Sequence, residues 1–212
     1  GSVKHFVKAG SRWPMVIGTS RSVDYYSFPF FLAYTTALLK RDIDAHVKGL
    51  DGVVKDMTSS ELFKEIKKES PDILITELIA LTLKDDLAFL KDVKNDTNCM
   101  IAVCGSYVSA EAEDILRGNP FIDFAVRGEY ELTVKELIER IIKGQKGNLA
   151  SVNGLIYRNN NGDIKTNKQR ELIKDIDYLP FPDREDFPAT IYPDFTLYSP
   201  CINIISSRGC PA

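Results

Sequence analysis

Short apolar runs alternate along the chain with longer stretches whose apolar residues recur at helical spacing. Such runs, bounded by polar turns, are typical of buried strands, and the longer stretches are typical of amphipathic helices. The pattern predicts five strands, at residues 15–20, 45–50, 73–76, 100–104 and 124–127. It predicts five helices, at residues 28–41, 58–69, 83–93, 110–117 and 131–143. This alternation is typical of an α/β domain with a parallel sheet covered by helices on both faces.

The number of units also favours one order of strands. Five βα units in a doubly wound sheet most often follow the flavodoxin-like order 2-1-3-4-5, which we expect here. The third predicted strand is preceded by a helix with a clear start signal. Thr58 and Glu61 have the spacing of a capping box, in which each side chain binds the other residue's backbone amide.

The pattern changes after Gly147. Two short apolar runs flank Asn159-Asn160-Asn161-Gly162-Asp163, which predicts a β-hairpin. Residues 168–200 contain Pro180, Pro182, Pro188, Pro193 and Pro200, a density typical of an extended linker. We therefore expect an α/β domain at residues 1–147, a hairpin appendage at 148–167, and a linker with the start of a further domain at 168–212.

Composition narrows the class of protein. The chain has 212 residues, 44% hydrophobic and 27% charged, with a formal net charge of -3, which gives no basic footprint for nucleic acid. No apolar stretch approaches the roughly 20 residues that span a bilayer, so we expect a cytoplasmic protein without a membrane partner. The opening Gly1-Ser2 is typical of a cleaved tag, and we expect the ends of the chain to have been set by design.

Candidate ligand-binding loops follow the first, third, fourth and fifth predicted strands. Open parallel sheets bind ligands at the carboxyl ends of their strands, where the strand order reverses. Glycine and hydroxyl residues dominate these loops, which suits a ligand that approaches the backbone, although short turns often have the same composition. The loops read Gly18-Thr19-Ser20-Arg21-Ser22, Thr76-Glu77-Leu78, Gly105-Ser106-Tyr107 and Arg127-Gly128-Glu129-Tyr130-Glu131.

Three common ligands of such sheets can be compared with these loops. The first loop lacks the G-x-G-x-x-G of a dinucleotide site. Thr76 stands where a phosphate-accepting receiver domain needs an aspartate. Flavin mononucleotide (FMN) stays open, because a first loop rich in Thr and Ser can bind a phosphate.

Four segments together resemble the N-terminal cobalamin-binding domain of B12-dependent radical S-adenosylmethionine (SAM) proteins. The resemblance covers nearly the whole chain and rests on the order and spacing of the four segments. They are Ser27-Phe28-Pro29-Phe30-Phe31-Leu32-Ala33-Tyr34, Val126-Arg127-Gly128-Glu129-Tyr130-Glu131, Asp177-Tyr178-Leu179-Pro180-Phe181-Pro182 and Ile205-Ser206-Ser207-Arg208-Gly209-Cys210-Pro211.

The resemblance implies roles for the cysteines and for the protein as a whole. Cys210 would be the first of three thiolates on a [4Fe-4S] cluster, in a C-terminal radical SAM domain that is truncated here. Cys99, Cys104 and Cys201 show no zinc-like spacing, and Cys104 is interpreted as a core residue. The intact protein is expected to be a methyltransferase that uses cobalamin, the cluster and SAM.

The sequence around His46 is a misleading motif. Asp44-Ala45-His46-Val47-Lys48-Gly49 spells D-x-H-x-x-G, with which one class of cobalamin domains ligates cobalt from the loop after the first strand. Here it falls within the second predicted strand, to one side of the ligand crevice. We interpret the match as a coincidence and expect cobalamin to bind without a protein histidine on cobalt.

The resemblance selects ten residues that we expect to line the cobalamin site. Glu77 and Glu129 have an alternative role as caps of the helices that follow them. Gly105-Ser106 stands where the family has two glycines, which weakens the match there. A scaffold that docks partners or substrate without cobalamin, and an FMN carrier, stay open. The ten residues are Thr19, Ser20, Thr76, Glu77, Leu78, Gly105, Ser106, Tyr107, Gly128 and Glu129.

Overall fold

The computed structural model describes residues 28–145, 148–159, 161–192, 202 and 204–208. The first predicted strand, Thr19, Ser20, Cys201 and Cys210 lie outside the described residues. The helices are α1 (Phe30–Asp42), α2 (Ser59–Glu69), α3 (Leu83–Thr97), α4 (Ser106–Gly118) and α5 (Glu131–Ile142). The strands are β1 (Ile73–Glu77), β2 (Met100–Cys104), β3 (Phe124–Val126), β4 (Leu155–Arg158) and β5 (Ile164–Thr166). Short 3-10 turns at Ile176–Tyr178 and Ala189–Ile191 follow.

The α/β fold is confirmed, with a mixed sheet of order β1-β2-β3-β4-β5 among the described strands. The first three strands are parallel, as predicted, and the hairpin strands β4 and β5 pair antiparallel. The hairpin is therefore part of the sheet and not an appendage. Its β4 pairs with β3 because Leu155 and Ile156 are both buried, one against each helical layer.

Residues 45–50 do not form the second predicted strand. They run as irregular chain beside β1, and among the described residues a groove of about 700 Å³ lies between the two segments. A strand needs a paired neighbour, and among the described strands β1 pairs with β2. In the order 2-1-3-4-5 this groove is the place of the first predicted strand. That order stays a prediction.

Two layers of helices cover the sheet. Helices α1 and α5 pack on the face that carries Ala102 and Val126, and α2, α3 and α4 pack on the face that carries Ile101 and Val103. The side chains of successive strand residues alternate between these two faces, as the pleat requires. Because both faces are covered, the central strands are apolar throughout, which explains their unbroken apolar runs in the sequence.

Local signals account for two helix starts. The predicted capping box is confirmed: Thr58 Oγ1 accepts from Glu61 N at 3.2 Å, and Glu61 Oε2 accepts from Thr58 N at 2.7 Å. Helix α4 begins at Ser106, four residues before the predicted start, because Gly105 takes a positive φ and turns the chain directly from β2 into the helix. Glu111 interrupts the helical geometry of α4, which weakens its periodic signal.

The segment predicted as a linker packs on the α/β unit. The Asp183 amide donates to Ala33 O at 3.0 Å, and the Tyr192 hydroxyl donates to Asp51 Oδ2 at 2.9 Å. Asp186 binds Lys48 Nζ at 2.8 Å and Lys40 Nζ at 2.9 Å. This part of the chain is therefore held against α1. The domain boundaries themselves stay predictions.

Within the described ranges, no helix is long and apolar enough to cross a membrane.

Candidate functional site at the carboxyl edge of the sheet

Eight of the ten predicted site residues follow one another along the carboxyl ends of β1, β2 and β3. These ends, residues 76–78, 105–107 and 127–129, are here called the carboxyl edge. They meet at one side of the sheet because the three strands are parallel. The Leu78 amide donates to Cys104 O at 3.0 Å and joins the first two ends. Thr19 and Ser20, the other two residues, lie outside the described part of the chain.

Gly105 shapes the middle of the carboxyl edge. Its φ is +105°, and a Cβ there would lie 3.4 Å from Leu78 O and 3.5 Å from Glu77 Cβ. A side chain would be strained at this φ, and its Cβ would be in van der Waals contact with the end of β1. Helix α4 starts at the next residue, exposed Ser106, and no described side chain caps its first turn. The edge therefore presents a helix N-terminus beside a bare stretch of backbone.

Gly128 gives the third strand end a similar shape. Its φ is +71°, and nothing lies within 4 Å of the place of a Cβ. Its amide donates to Ser109 Oγ at 2.9 Å, which ties this loop to α4. Helix α5 begins three residues later, again without a side-chain cap among the described residues. Two glycine turns with positive φ, exposed at Gly128 and half-buried at Gly105, thus lie at the same edge as the starts of α4 and α5.

Glu77 lies at the end of β1, buried on the face of the sheet that carries α1 and α5. Its Oε1 accepts a hydrogen bond from the Tyr130 hydroxyl at 2.7 Å. Cys104 is buried nearby, as expected for a core residue, and its Sγ donates to Thr76 O at 3.3 Å. Burial raises the pKa of the Cys104 thiol and of the Tyr130 hydroxyl well above their ordinary values, and the Glu77 carboxylate adds to both shifts. Both groups are therefore protonated, neutral hydrogen-bond donors.

The described contacts of Glu77 and Glu129 differ from the helix caps that were their alternative role. Glu77 accepts from Tyr130, and neither α3 nor α5 has a side-chain cap. Glu129 Oε2 instead accepts from the Ile173 amide at 2.7 Å and holds the segment that follows the hairpin. Both carboxylates are used to join separate parts of the chain, which requires contacts that local sequence does not reveal.

Tyr130 and Glu131 were not selected by sequence reasoning. Both stand in the Arg127-Gly128-Glu129-Tyr130-Glu131 stretch that carried part of the resemblance, which is the one signal that marked them. Burial of Glu131 at the first position of α5 is unusual for a carboxylate. Its partner comes from the far end of the chain and is described below.

His46 lies away from the carboxyl edge. Its side chain is 77% exposed, and its Nε2 is 3.3 Å from Glu69 Oε2. Glu69 ends α2 shortly before β1 begins, which places it at the amino end of the sheet, opposite the carboxyl edge. The position of His46 agrees with the interpretation of its motif as a coincidence.

The described residues contain no group of three His, Cys, Asp or Glu side chains that could hold a metal ion. Cys99 and Cys104 are buried free thiols. The [4Fe-4S] ligand predicted at Cys210 lies outside the described residues, so the iron-sulfur assignment stays a prediction.

Three proteins of known or assigned activity are similar in sequence, although no family model matches the chain. An uncharacterized methyltransferase of Pyrococcus horikoshii is 34% identical over 184 residues, 86% of this chain. Anaerobic magnesium-protoporphyrin IX monomethyl ester cyclases of Synechocystis sp. and Rubrivivax gelatinosus are 27% and 25% identical over 76% and 71% of the chain. The chain spans 39%, 32% and 28% of the lengths of these relatives.

The fold is shared with a solved enzyme. The cobalamin-dependent SAM radical enzyme OxsB, with aqua-cobalamin and SAM bound, matches with a TM-score of 0.66 at 22% identity. The match covers 76% of this chain and 22% of OxsB, and apo OxsB matches with a TM-score of 0.57. At this identity the likeness establishes the fold that the two chains have in common.

Proposed function

We propose that this chain binds cobalamin across its carboxyl edge, as the cofactor-binding part of a radical SAM enzyme. The shape of that edge is the observation that carries the proposal: two glycine turns with positive φ lie beside the N-terminus of α4, whose first residue, Ser106, is exposed. The fold shared with OxsB, whose structure contains aqua-cobalamin, supports the same assignment.

The residues of the edge suit the chemistry of cobalamin. The corrin ring carries many amide side chains, and the nucleotide tail carries a phosphate, so the cofactor needs numerous donors and acceptors. Ser106 and Tyr107 offer hydroxyls, and the first turn of α4, which begins at exposed Ser106, offers backbone amides. The glycine at 105 allows the positive φ that brings β2 directly into α4 at this edge. These residues fit the group and would hold it.

The protein supplies position and environment for the cofactor. Bound cobalamin would supply a cobalt centre able to carry a methyl group. The Tyr130–Glu77 hydrogen bond fixes the ends of β1 and α5 relative to each other, so the edge keeps its shape. Because His46 lies at the opposite end of the sheet, we assign no protein imidazole to cobalt.

Methyl transfer is the reaction proposed for the whole protein. The relative that is 34% identical is named a methyltransferase, and the match covers most of this chain. A C-terminal radical SAM domain, with Cys210 as its first cluster thiolate, would provide the SAM-derived radical. The chain described here would then present cobalamin to that domain.

Ligand retention tests the proposal. Purified protein is incubated with hydroxocobalamin or with FMN, desalted, and examined by visible absorption. We expect cobalamin to be retained and FMN to be lost. Retention of FMN alone would indicate a flavodoxin-like carrier, and retention of neither would favour a docking scaffold; both results contradict the proposal.

A histidine variant tests the assignment at cobalt. His46→Ala should retain cobalamin with an unchanged spectrum, because His46 is exposed and pairs only with the end of α2 among the contacts described. Loss of retention, with the spectral change of a displaced imidazole, would show that His46 ligates cobalt.

A further inference from the structure

The first residue of α5 is a carboxylate that is fully buried. Glu131 is 0% exposed, and it directly follows the Tyr130 that binds Glu77. Burying a carboxylate is costly unless a cation lies against it. The cation comes from the far end of the described chain, where Arg208 Nη1 lies 2.6 Å from Glu131 Oε1. Only 6% of the Arg208 side chain is exposed.

Two rings of α1 complete the surroundings of the guanidinium. Arg208 Cζ lies 5.1 Å from the centre of the Phe31 ring and 5.0 Å from the centre of the Tyr34 ring. A planar, weakly hydrated guanidinium suits aromatic faces and a carboxylate together better than an ammonium does. Phe31 also contacts Tyr130, with ring centres 6.4 Å apart, so the arginine site is continuous with the Glu77 hydrogen bond.

Burial in this part of the chain is concentrated in Arg208. Ile202 and Ile204 are 63% and 79% exposed, and Ser206 and Ser207 are exposed as well. Among residues 202 and 204–208, Arg208 therefore has the most buried side chain whose contacts are described, and Ile205 is half-buried.

A buried ion pair is better suited to fixing register than to stabilising a core. Desolvation of both charges offsets much of their attraction, but leaving either charge buried without its partner is strongly unfavourable. Any shift of the segment that separated Arg208 from Glu131 would leave a buried charge without its partner and would raise the free energy of the folded state. The pair therefore selects one position of the segment over its neighbours.

We propose that Phe31, Tyr34 and Glu131 form an arginine receptor that holds Arg208 and positions residues 204–208 relative to the carboxyl edge. The functional meaning of this receptor rests on the proposed function. In a radical SAM enzyme it would set the separation between cobalamin at the edge and the first cluster thiolate. Arg208 is thus assigned as a positioning residue, which acts through the segment that it holds.

Limited trypsin digestion tests the receptor directly. Trypsin cleaves after Arg208 only when the guanidinium has left its site, and loss of residues 209–212 is visible by intact mass spectrometry. Lys174, with a side chain 86% exposed, provides an internal reference. We expect cleavage after Arg208 to be at least about tenfold slower than after Lys174, because it requires local opening.

Two variants separate the receptor from general stability. Glu131→Gln should accelerate cleavage after Arg208 by at least about tenfold. Glu136→Gln is the matched control. Glu136 also lies on α5 and pairs with Arg170, so its substitution removes a carboxylate from the same helix and should leave the rate of cleavage after Arg208 unchanged. If Glu131→Gln fails to fold, Arg208→Lys is the alternative variant. It keeps a trypsin site at position 208 but loses the guanidinium, so cleavage there should be faster than cleavage after Arg208 in the wild type.

Positioning itself has a spectroscopic readout. Spin labels are placed on Cys210 and on a cysteine introduced at exposed Lys143, with Cys201 replaced by serine. We expect one narrow distance distribution, which broadens in Glu131→Gln. A broad distribution in the parent chain, equal cleavage after Arg208 and Lys174, or no acceleration in the variants would overturn the receptor. These measurements need neither cobalamin nor cluster, so the receptor and the proposed function can fail separately.

Discussion

Replacement of Tyr130 by phenylalanine removes one oxygen from the centre of the candidate site. The Tyr130 hydroxyl donates to Glu77 Oε1 at 2.7 Å, and both residues are buried. The ring remains and keeps its packing against Phe31. The substitution therefore tests the hydrogen bond with little change in the volume of the core.

The expected loss follows from the kind of hydrogen bond. A hydrogen bond to a charged group contributes about 1.5–3 kcal/mol to the free energy of unfolding. When the donor is removed, the buried carboxylate still carries its desolvation cost but has lost this hydrogen bond. For a domain of this size, about 2 kcal/mol corresponds to a decrease in melting temperature of about 4–8 °C. We expect Tyr130→Phe to lower the free energy of unfolding by this amount.

Urea unfolding followed by circular dichroism measures the effect. Tyr178→Phe is the matched control, since its exposed hydroxyl lies 3.2 Å from Lys135 Nζ and should contribute less than about 0.5 kcal/mol. The reasoning would be refuted if the two variants were equally stable. That result would mean that the buried hydroxyl and carboxylate do not hold β1 and α5 together.

Three further changes have defined outcomes. Hydrogen bonds from two lysines and a backbone amide outweigh the opposing effect of burial and lower the pKa of Asp186 to about 2, below the ordinary 3.8. The stability that wild type has over Asp186→Asn should therefore be complete above about pH 4 and decline toward pH 2 in urea titrations. Burial raises the pKa of Asp86 to about 6, so wild type should lose stability relative to Asp86→Asn as the pH rises from 4 to 6. A difference in unfolding free energy that stays constant over this pH range would contradict the prediction. Gly49→Ala should lower the free energy of unfolding by about 1–3 kcal/mol, because the new Cβ would lie 2.4 Å from Phe187 Cε2. Gly118→Ala is the control: nothing lies within 4 Å of its Cβ, so thermal melting should show an unchanged or higher stability.

The parts of the fold that depend on local chemistry were predictable. The capping box of Thr58 and Glu61 and the turn at Asn159 involve neighbours in sequence, and their residue types leave few alternatives. The pairing of the hairpin with β3 was not predictable, because the apolar residues of a strand do not indicate which neighbouring strand it pairs with. Residues 45–50 have the composition of a strand, but pairing depends on a neighbour and not on composition.

The candidate site shows the same division. Gly105 and Gly128 could be selected because a glycine after a buried strand indicates a tight turn at the sheet edge. The Tyr130–Glu77 and Glu131–Arg208 pairs could not, because each joins residues distant in sequence and nothing local distinguishes a buried carboxylate from an exposed one. Sequence reasoning therefore locates the edge, and the structure supplies the contacts that hold it.

The affinity of the chain for hydroxocobalamin, measured by spectroscopic titration in wild type and two tryptophan variants, tests the central claim most directly. Ser106→Trp places a large ring on the exposed first residue of α4 at the carboxyl edge, and Ala88→Trp places the same ring on the exposed surface of α3. Cobalamin across the edge predicts that wild type and Ala88→Trp bind alike, while Ser106→Trp binds at least about tenfold more weakly. Equal affinity in all three proteins, or no binding by wild type, would contradict the account.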